Sequence, residues 1–138
     1  MSLNKDESLE YALTTTLNVL RKKFNSQISP YNLSSEQYAV MRLVDEIGEI
    51  TPTKIAELLK RDKATITRII NSLKKKGFIN KKYINSKSYY LLLTQEGKIN
   101  LKFADKVAVE FQNKIKSILS EEEFKCLLEK LQKIRNNF

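Results

Sequence analysis

Ala64, Arg68, Asn71 and Lys75 follow one another at intervals of four, three and four residues. That spacing returns to one side of an α-helix. Taking Ile66 as the centre of the opposite side, Ile69, Ile70 and Leu73 fall within roughly 60° of it at about 100° per residue. The segment therefore has an apolar face to bury and a polar face to present, with Thr65, Thr67 and Ser72 on its flanks. These residue types suit a duplex groove. Arginine forks onto guanine O6/N7, and asparagine pairs with adenine N6/N7 or reaches a phosphate. Threonine suits a phosphate oxygen or a thymine methyl. A polar outer face is common to surface helices, so the surroundings must decide.

The surroundings are cationic. Residues 54–87 carry 11 basic and 2 acidic side chains, while 1–53 and 88–138 have net charges of −2 and +2. The formal excess of +9 thus lies in 34 consecutive residues. Such a block releases counterions on meeting a polyanion, which dominates nucleic-acid affinity. Thr53, Lys63, Ala64, Thr65, Thr67, Arg68, Asn71 and Lys75 are the expected DNA contacts of the helical part. Lys81, Lys82, Asn85 and Lys87 are those of the segment that follows.

The elements that must position these residues can be read from period and punctuation. A first helix is expected from about Asp6 to Gln27, with Leu9, Leu13, Leu17, Leu20, Phe24 and Ile28 on one face, ended by Ser29-Pro30-Tyr31-Asn32. A second opens at Ser34 with Gln37 three residues on, a capping box, and its stripe is Tyr38, Met41, Val44 and Ile47 before Gly48. A short third opens at Thr51-Pro52 and turns Ile55, Leu58 and Leu59 inward beside Ala56. After the tight turn Lys60-Arg61-Asp62, Asp62 caps the fourth, which Gly77 closes. Phe78–Ile84 and Ser88–Leu93 then read as a hairpin about Asn85-Ser86-Lys87. Its tip is suited to a minor groove, and Tyr83, Tyr89 and Tyr90 are expected in half-buried sheet packing. Thr94 caps a helix to Leu119 striped by Ile99, Leu101, Phe103, Ala104, Val107, Ala108, Phe111, Ile115 and Ile118. Ser120 and Glu123 start a last one with Phe124, Leu127, Leu128, Leu131 and Ile134.

The expected fold is mainly α with a small β-hairpin wing. Residues 33–94 form a winged helix-turn-helix DNA-binding lobe, and 1–32 and 95–138 form N- and C-terminal helical dimerisation regions. The terminal stripes are too long for one lobe to cover, so a homodimer is expected.

Composition excludes several chemistries. With no histidine among 138 residues there is no Ser-His-Asp triad and no imidazole ligand, and one cysteine makes no disulfide or Cys-paired zinc site. Three glycines include no GxGxxG or P-loop pattern. No catalytic residue, metal or cofactor is expected. Cys126, on or beside an apolar stripe, is expected as a buried, inert thiol. No apolar run reaches the ~20 residues of a membrane span, and Met1–Glu10 is polar and acidic, so a cytoplasmic protein is expected.

The motifs Leu33-Ser-Ser-Glu-Gln-Tyr, Thr51-Pro-Thr-Lys-Ile-Ala-Glu-Leu-Leu, Asp62-Lys-Ala-Thr-Ile-Thr-Arg-Ile-Ile-Asn-Ser-Leu-Lys-Lys-Lys-Gly-Phe-Ile and Leu91-Leu-Leu-Thr-Gln-Glu-Gly97 closely resemble the MarR family of bacterial transcriptional regulators. The resemblance implies a winged-helix homodimer on a pseudo-palindromic operator, usually a repressor released by a small ligand or an oxidant. The family's wing tip usually carries Asp-x-Arg, and here Asn85 and Lys87 stand at those positions. Oxidant-sensing members have a cysteine in the first helix and zinc-sensing members rely on histidines. Neither is present, which leaves a small organic effector or none. The family's ligand site lies between the dimerisation helices and the lobe, and Tyr11, Tyr38, Met41 and Arg42 are the residues expected to approach it. The alternative is a winged-helix adaptor for RNA or a protein partner. A lysine-rich face disfavours the protein partner and leaves RNA open.

Overall fold

A computed structural model describes every residue from Met1 to Phe138. Six α-helices and one hairpin follow in the order α1 (Leu9–Ile28), α2 (Ser35–Ile47), α3 (Pro52–Leu59), α4 (Lys63–Lys75), β1 (Ile79–Tyr83), β2 (Tyr89–Leu93), α5 (Gln95–Ile118) and α6 (Glu121–Arg135). The chain divides into two compact units, Met1–Asp105 and Lys106–Phe138. No helix is long and apolar enough to cross a membrane.

Caps set most boundaries. The helix expected from about Asp6 starts at Leu9, because Ser8 Oγ accepts from the Tyr11 amide while Lys5–Glu7 turns as a 3-10 segment. The capping box of α2 is complete: Gln37 N–H donates to Ser34 Oγ, and Gln37 Oε1 accepts from Ser34 N–H. Helix α3 opens on Thr51 and Pro52, and α4 on Asp62, whose Oδ2 accepts from the Thr65 amide at 3.0 Å. Between them Lys60 has φ +55°, a left-handed conformation without glycine. It is held because the Lys60 and Arg61 amides both turn back onto α3 carbonyls.

The hairpin is antiparallel, with Ile79 opposite Leu93 and Tyr83 opposite Tyr89. A third segment joins it: the Leu91 amide donates to the Ile50 carbonyl at 3.0 Å, an isolated bridge. One residue has no period to read, so this bridge left no mark on the sequence pattern. It attaches the start of the helix-turn-helix to the wing.

The core of the first unit is apolar throughout. Ile28, Val40, Met41, Ile55, Phe78 and Leu101 are fully enclosed, and no polar side chain is buried. All four inward residues of α4, Ile66, Ile69, Ile70 and Leu73, are buried. Two stripe assignments change. Leu58 is 41% exposed, because it lies about 110° around the helix from the midpoint of Ile55 and Ala56, where Leu59 sits. Ile47, in the last turn of α2, is also exposed, while Val40 takes a core place. In α5, Leu101 and Ala104 are buried, whereas Ile99, Phe103 and Ile118 are exposed.

The wing meets α5 at one tight junction. Thr94 donates its backbone N–H to the Phe78 carbonyl and its hydroxyl to the Gly77 carbonyl, and its Oγ1 accepts from the Gly97 amide. A Cβ on Gly97 would lie 2.2 Å from the Phe78 oxygen, so only glycine fits. Gly77 itself has φ +82° and ends α4.

In the second unit, Ser120 and Glu123 form the expected capping box and Lys116 sits over the Phe124 ring. No residue of α6 is buried. Cys126 is exposed, which corrects the expectation of a buried thiol: helical period places it beside a stripe that the chain itself leaves open.

Candidate nucleic-acid interface

With its apolar side buried, α4 turns the other side to solvent. Lys63, Ala64, Arg68, Asn71 and Lys75 are exposed there, as the spacing requires. The axis of α4 is fixed against α2 by a polar clasp. Gln37 Nε2 donates to Ser72 Oγ at 3.0 Å, and Lys76 Nζ donates to Gln37 Oε1 at 2.8 Å and to the Asn32 carbonyl at 2.9 Å. Partial burial lowers the Lys76 ammonium below its usual range. Ser72, on the flank of the outward face, is thus turned toward α2.

A second clasp holds the turn. Arg61 donates to Glu36 Oε1 at 2.7 Å. That hydrogen bond, with the nearby charges of Arg61, Arg21 and Arg68, holds the Glu36 carboxyl below its ordinary value. The carboxylate anchors the turn through Arg61.

Individual contacts differ in how free they are. Thr65 Oγ1 donates to Asp62 Oδ1 at 2.6 Å, so its hydroxyl belongs to the helix cap. Both the Thr65 hydroxyl and amide bonds hold the Asp62 carboxyl below its ordinary value. Thr67 is half-buried. Lys81 is half-buried too, with Nζ 3.4 Å from Asn71 Oδ1 and 4.6 Å from the centre of the Tyr89 ring. Lys82 and Lys87 are exposed.

Asn85 has a structural task. Its Oδ1 accepts from the amides of Lys87 and Ser88, each at 2.9 Å, and the Ile84 amide donates to the Ser88 carbonyl. The wing tip is ordered by this asparagine turn, which needs neither the family's aspartate nor its arginine. Tyr83 is 61% exposed and leans on Tyr89 at 5.6 Å, so it corrects the expected half-buried packing. A two-stranded hairpin covers one face only, and the tip extends past that cover. Tyr89 and Tyr90 are half-buried as expected.

The fold also joins residues far apart in sequence. Thr51, Pro52, Thr53, Lys63, Lys87, Ser88 and Tyr89 line one open cleft of about 140 Å³. Two lysines and the start of α3 line it, a setting for an anionic oxygen. Thr51 was legible only as a cap, and its place in this cleft has no sequence signal.

Of the residues expected near an effector, two converge. The Tyr38 hydroxyl donates to Asp105 Oδ1 at 2.7 Å, and Arg42 pairs with both Asp105 and Asp45. Burial, then the bond to Asp105, pushes the Tyr38 phenol above its usual value, so it stays protonated. Met41 is enclosed in the core and Tyr11 is exposed on α1.

Residues 33–85 match the model of the MarR family. The chain carries a MarR-family domain. Over 121 residues the protein is 28% identical to an uncharacterised HTH-type transcriptional regulator, YwoH, of Bacillus subtilis (strain 168), a match spanning 81% of this chain and 88% of that one. Its fold is that of solved MarR-type regulators. The S. aureus MepR structure, a complex with DNA, superposes with a TM-score of 0.87 at 19% identity, over 94% of this chain and 97% of that one. The transcriptional repressor CouR, solved with p-coumaroyl-CoA, gives 0.86 at 24% identity, over 97% and 96%. Beside the MarR-family domain, α1, α5 and α6 fall within the span of these structural matches.

Proposed function

We propose that this MarR-family protein is a cytoplasmic, homodimeric repressor that binds a pseudo-palindromic operator and responds to a small organic effector. It acts by binding and performs no catalysis. The observation that carries the reading is the cleft where Thr53, Lys63 and Lys87 converge beside the outward face of α4. These three of the expected contacts line one cleft, although Thr53 and Lys87 are 34 positions apart.

In this reading α4 enters the major groove. Arg68 forks onto a guanine edge, and Ala64 permits close approach. Lys75, Lys82 and the cleft lysines Lys63 and Lys87 meet phosphates. The wing carries Lys82 and Lys87 toward the adjoining minor groove. Two copies related by a dyad place their α4 helices roughly 34 Å apart, one turn of duplex. An effector that favours a different separation of the two lobes lowers affinity by shifting that population. The effector proposal rests on Tyr38 and Arg42 gathered at Asp105, and on CouR, a protein of similar fold that carries an organic ligand.

Fluorescence anisotropy against selected duplexes, with nonspecific competitor DNA and an RNA arm, tests this. Specific binding should survive the competitor and fall steeply with salt. Arg68→Ala should cost about 1–3 kcal/mol and relax preference at one base pair, while Lys82→Ala should weaken all sequences alike. Absence of duplex binding at low ionic strength overturns the reading.

A further inference from the structure

Asn71 stands on the reading face of α4, and an unengaged asparagine there is an adenine reader. Its Oδ1 accepts from adenine N6 while its Nδ2 donates to N7. In this chain Oδ1 already has a partner. Lys81 reaches from β1 to place Nζ 3.4 Å from it. The same ammonium lies 4.6 Å from the centre of the Tyr89 ring, and Lys81 is half-buried opposite Leu91 in the hairpin. It is therefore held from two sides, by a hydrogen bond and by the face of an aromatic ring.

The consequence is a matter of donors and acceptors. An ammonium has three N–H donors and no acceptor. Beside Oδ1 it sets the orientation of the Asn71 amide and turns Nδ2–H₂ away from the lysine. It takes one of the two lone pairs of Oδ1, so an adenine N6 amino group would have to share that oxygen with a charged donor. The group left unshared for the base is the amide donor pair. Guanine offers N7 and O6 as acceptors, and thymine offers O4.

We propose that Lys81 is a specificity-determining residue that acts through Asn71, so that this position of the operator is read as an acceptor edge, guanine or thymine, and adenine is disfavoured. The assignment rests on the DNA-binding reading above. Lys81 is a positioning residue in this scheme, and the wing takes part in major-groove specificity without entering that groove.

Selection of bound duplexes from a random pool by four proteins tests it: the unaltered chain, Asn71→Ala, Lys81→Met and Lys81→Arg. Asn71→Ala locates the base pair, as the one whose preference flattens. The unaltered chain should show guanine or thymine there. Lys81→Met keeps the side-chain stem and removes the donor, and should shift that base alone toward adenine by about tenfold, within the range of one bidentate contact. Lys81→Arg keeps a donor on Oδ1 and should retain the original preference. A merely structural role for Lys81 would weaken every position together. The proposal is overturned if the unaltered chain already selects adenine, if Lys81→Met leaves the profile unchanged or lowers it uniformly, or if Asn71→Ala flattens no position. If the unaltered chain selects no duplex at all, the DNA-binding reading fails, and this assignment fails with it.

Discussion

Helices α4 and α6 carry apolar stripes of the same helical period, and the fold treats them in opposite ways. In α4, Ile66, Ile69, Ile70 and Leu73 are closed inside the first unit. In α6, Leu127, Leu128 and Ile134 are 44%, 50% and 40% exposed. A stripe states that a face prefers to leave water. It does not state what will cover it. For α4 the cover is within the chain, and burying one side orients the other toward solvent. For α6 the stripe remains open in the single chain, as do Leu9, Leu13 and Leu17 of α1, and the proposed homodimer would supply its cover.

The contrast can be broken most directly at Leu73. Leu73→Ala should lower the unfolding free energy by about 2–5 kcal/mol, the usual cost of emptying an enclosed leucine site. Urea denaturation measures it, and a loss below about 1 kcal/mol would mean that the α4 stripe is not closed. Gly97→Ala comes next. Its methyl would meet the Phe78 carbonyl oxygen at 2.2 Å, so the junction of wing and α5 must shift, at a cost of about 1–3 kcal/mol in the same measurement.

Leu128→Ala sharpens the other side of the contrast. In dilute protein it should change stability by less than about 1 kcal/mol, as expected for a half-exposed site. If a second copy covers α6, the thermal midpoint of the unaltered chain rises with protein concentration and that of the variant rises less. Equal concentration dependence in both would remove Leu128 from the interface.

The smallest effect concerns Glu36. Its folded-state pKa is depressed by the Arg61 hydrogen bond, so its contribution is present above the ordinary carboxylate range and is lost as pH falls through the lowered value. The pair is about one-third exposed, so the contribution is under about 1 kcal/mol. Glu36→Gln should flatten that part of the acid limb in an unfolding series run from neutral pH downward. An unchanged limb would show that the pair does not anchor the turn between α3 and α4.

Much of the fold was legible because local chemistry decides it. The Ser34–Gln37 and Ser120–Glu123 boxes, the Thr51-Pro52 start and the Asp62 cap each satisfy helix-end amides within four residues, so they work wherever the helix lies. The outward face of α4 was legible because its opposite is a complete apolar face. Leu58 was misread because its own angle on α3 already lies off the Ile55 and Ala56 face, whereas Ile47, Tyr83 and Cys126 were misread because period names a face while burial depends on the length and cover of the neighbouring element. The candidate site was read as a set of residues and not as an arrangement. Nothing in the sequence set Thr53 and Lys63 beside Lys87, or engaged the Thr65 hydroxyl in its own helix cap.

The order of residues alone determined which segments coil, where each begins, which side of α4 is dry and where the positive charge concentrates. Those properties rest on interactions across three or four residues. Only the tertiary structure decided that Ile50 bridges to Leu91, that Gly97 must lack a side chain, and that Lys81 occupies the oxygen of Asn71. Each depends on the approach of two segments at a particular distance, which a linear pattern does not encode.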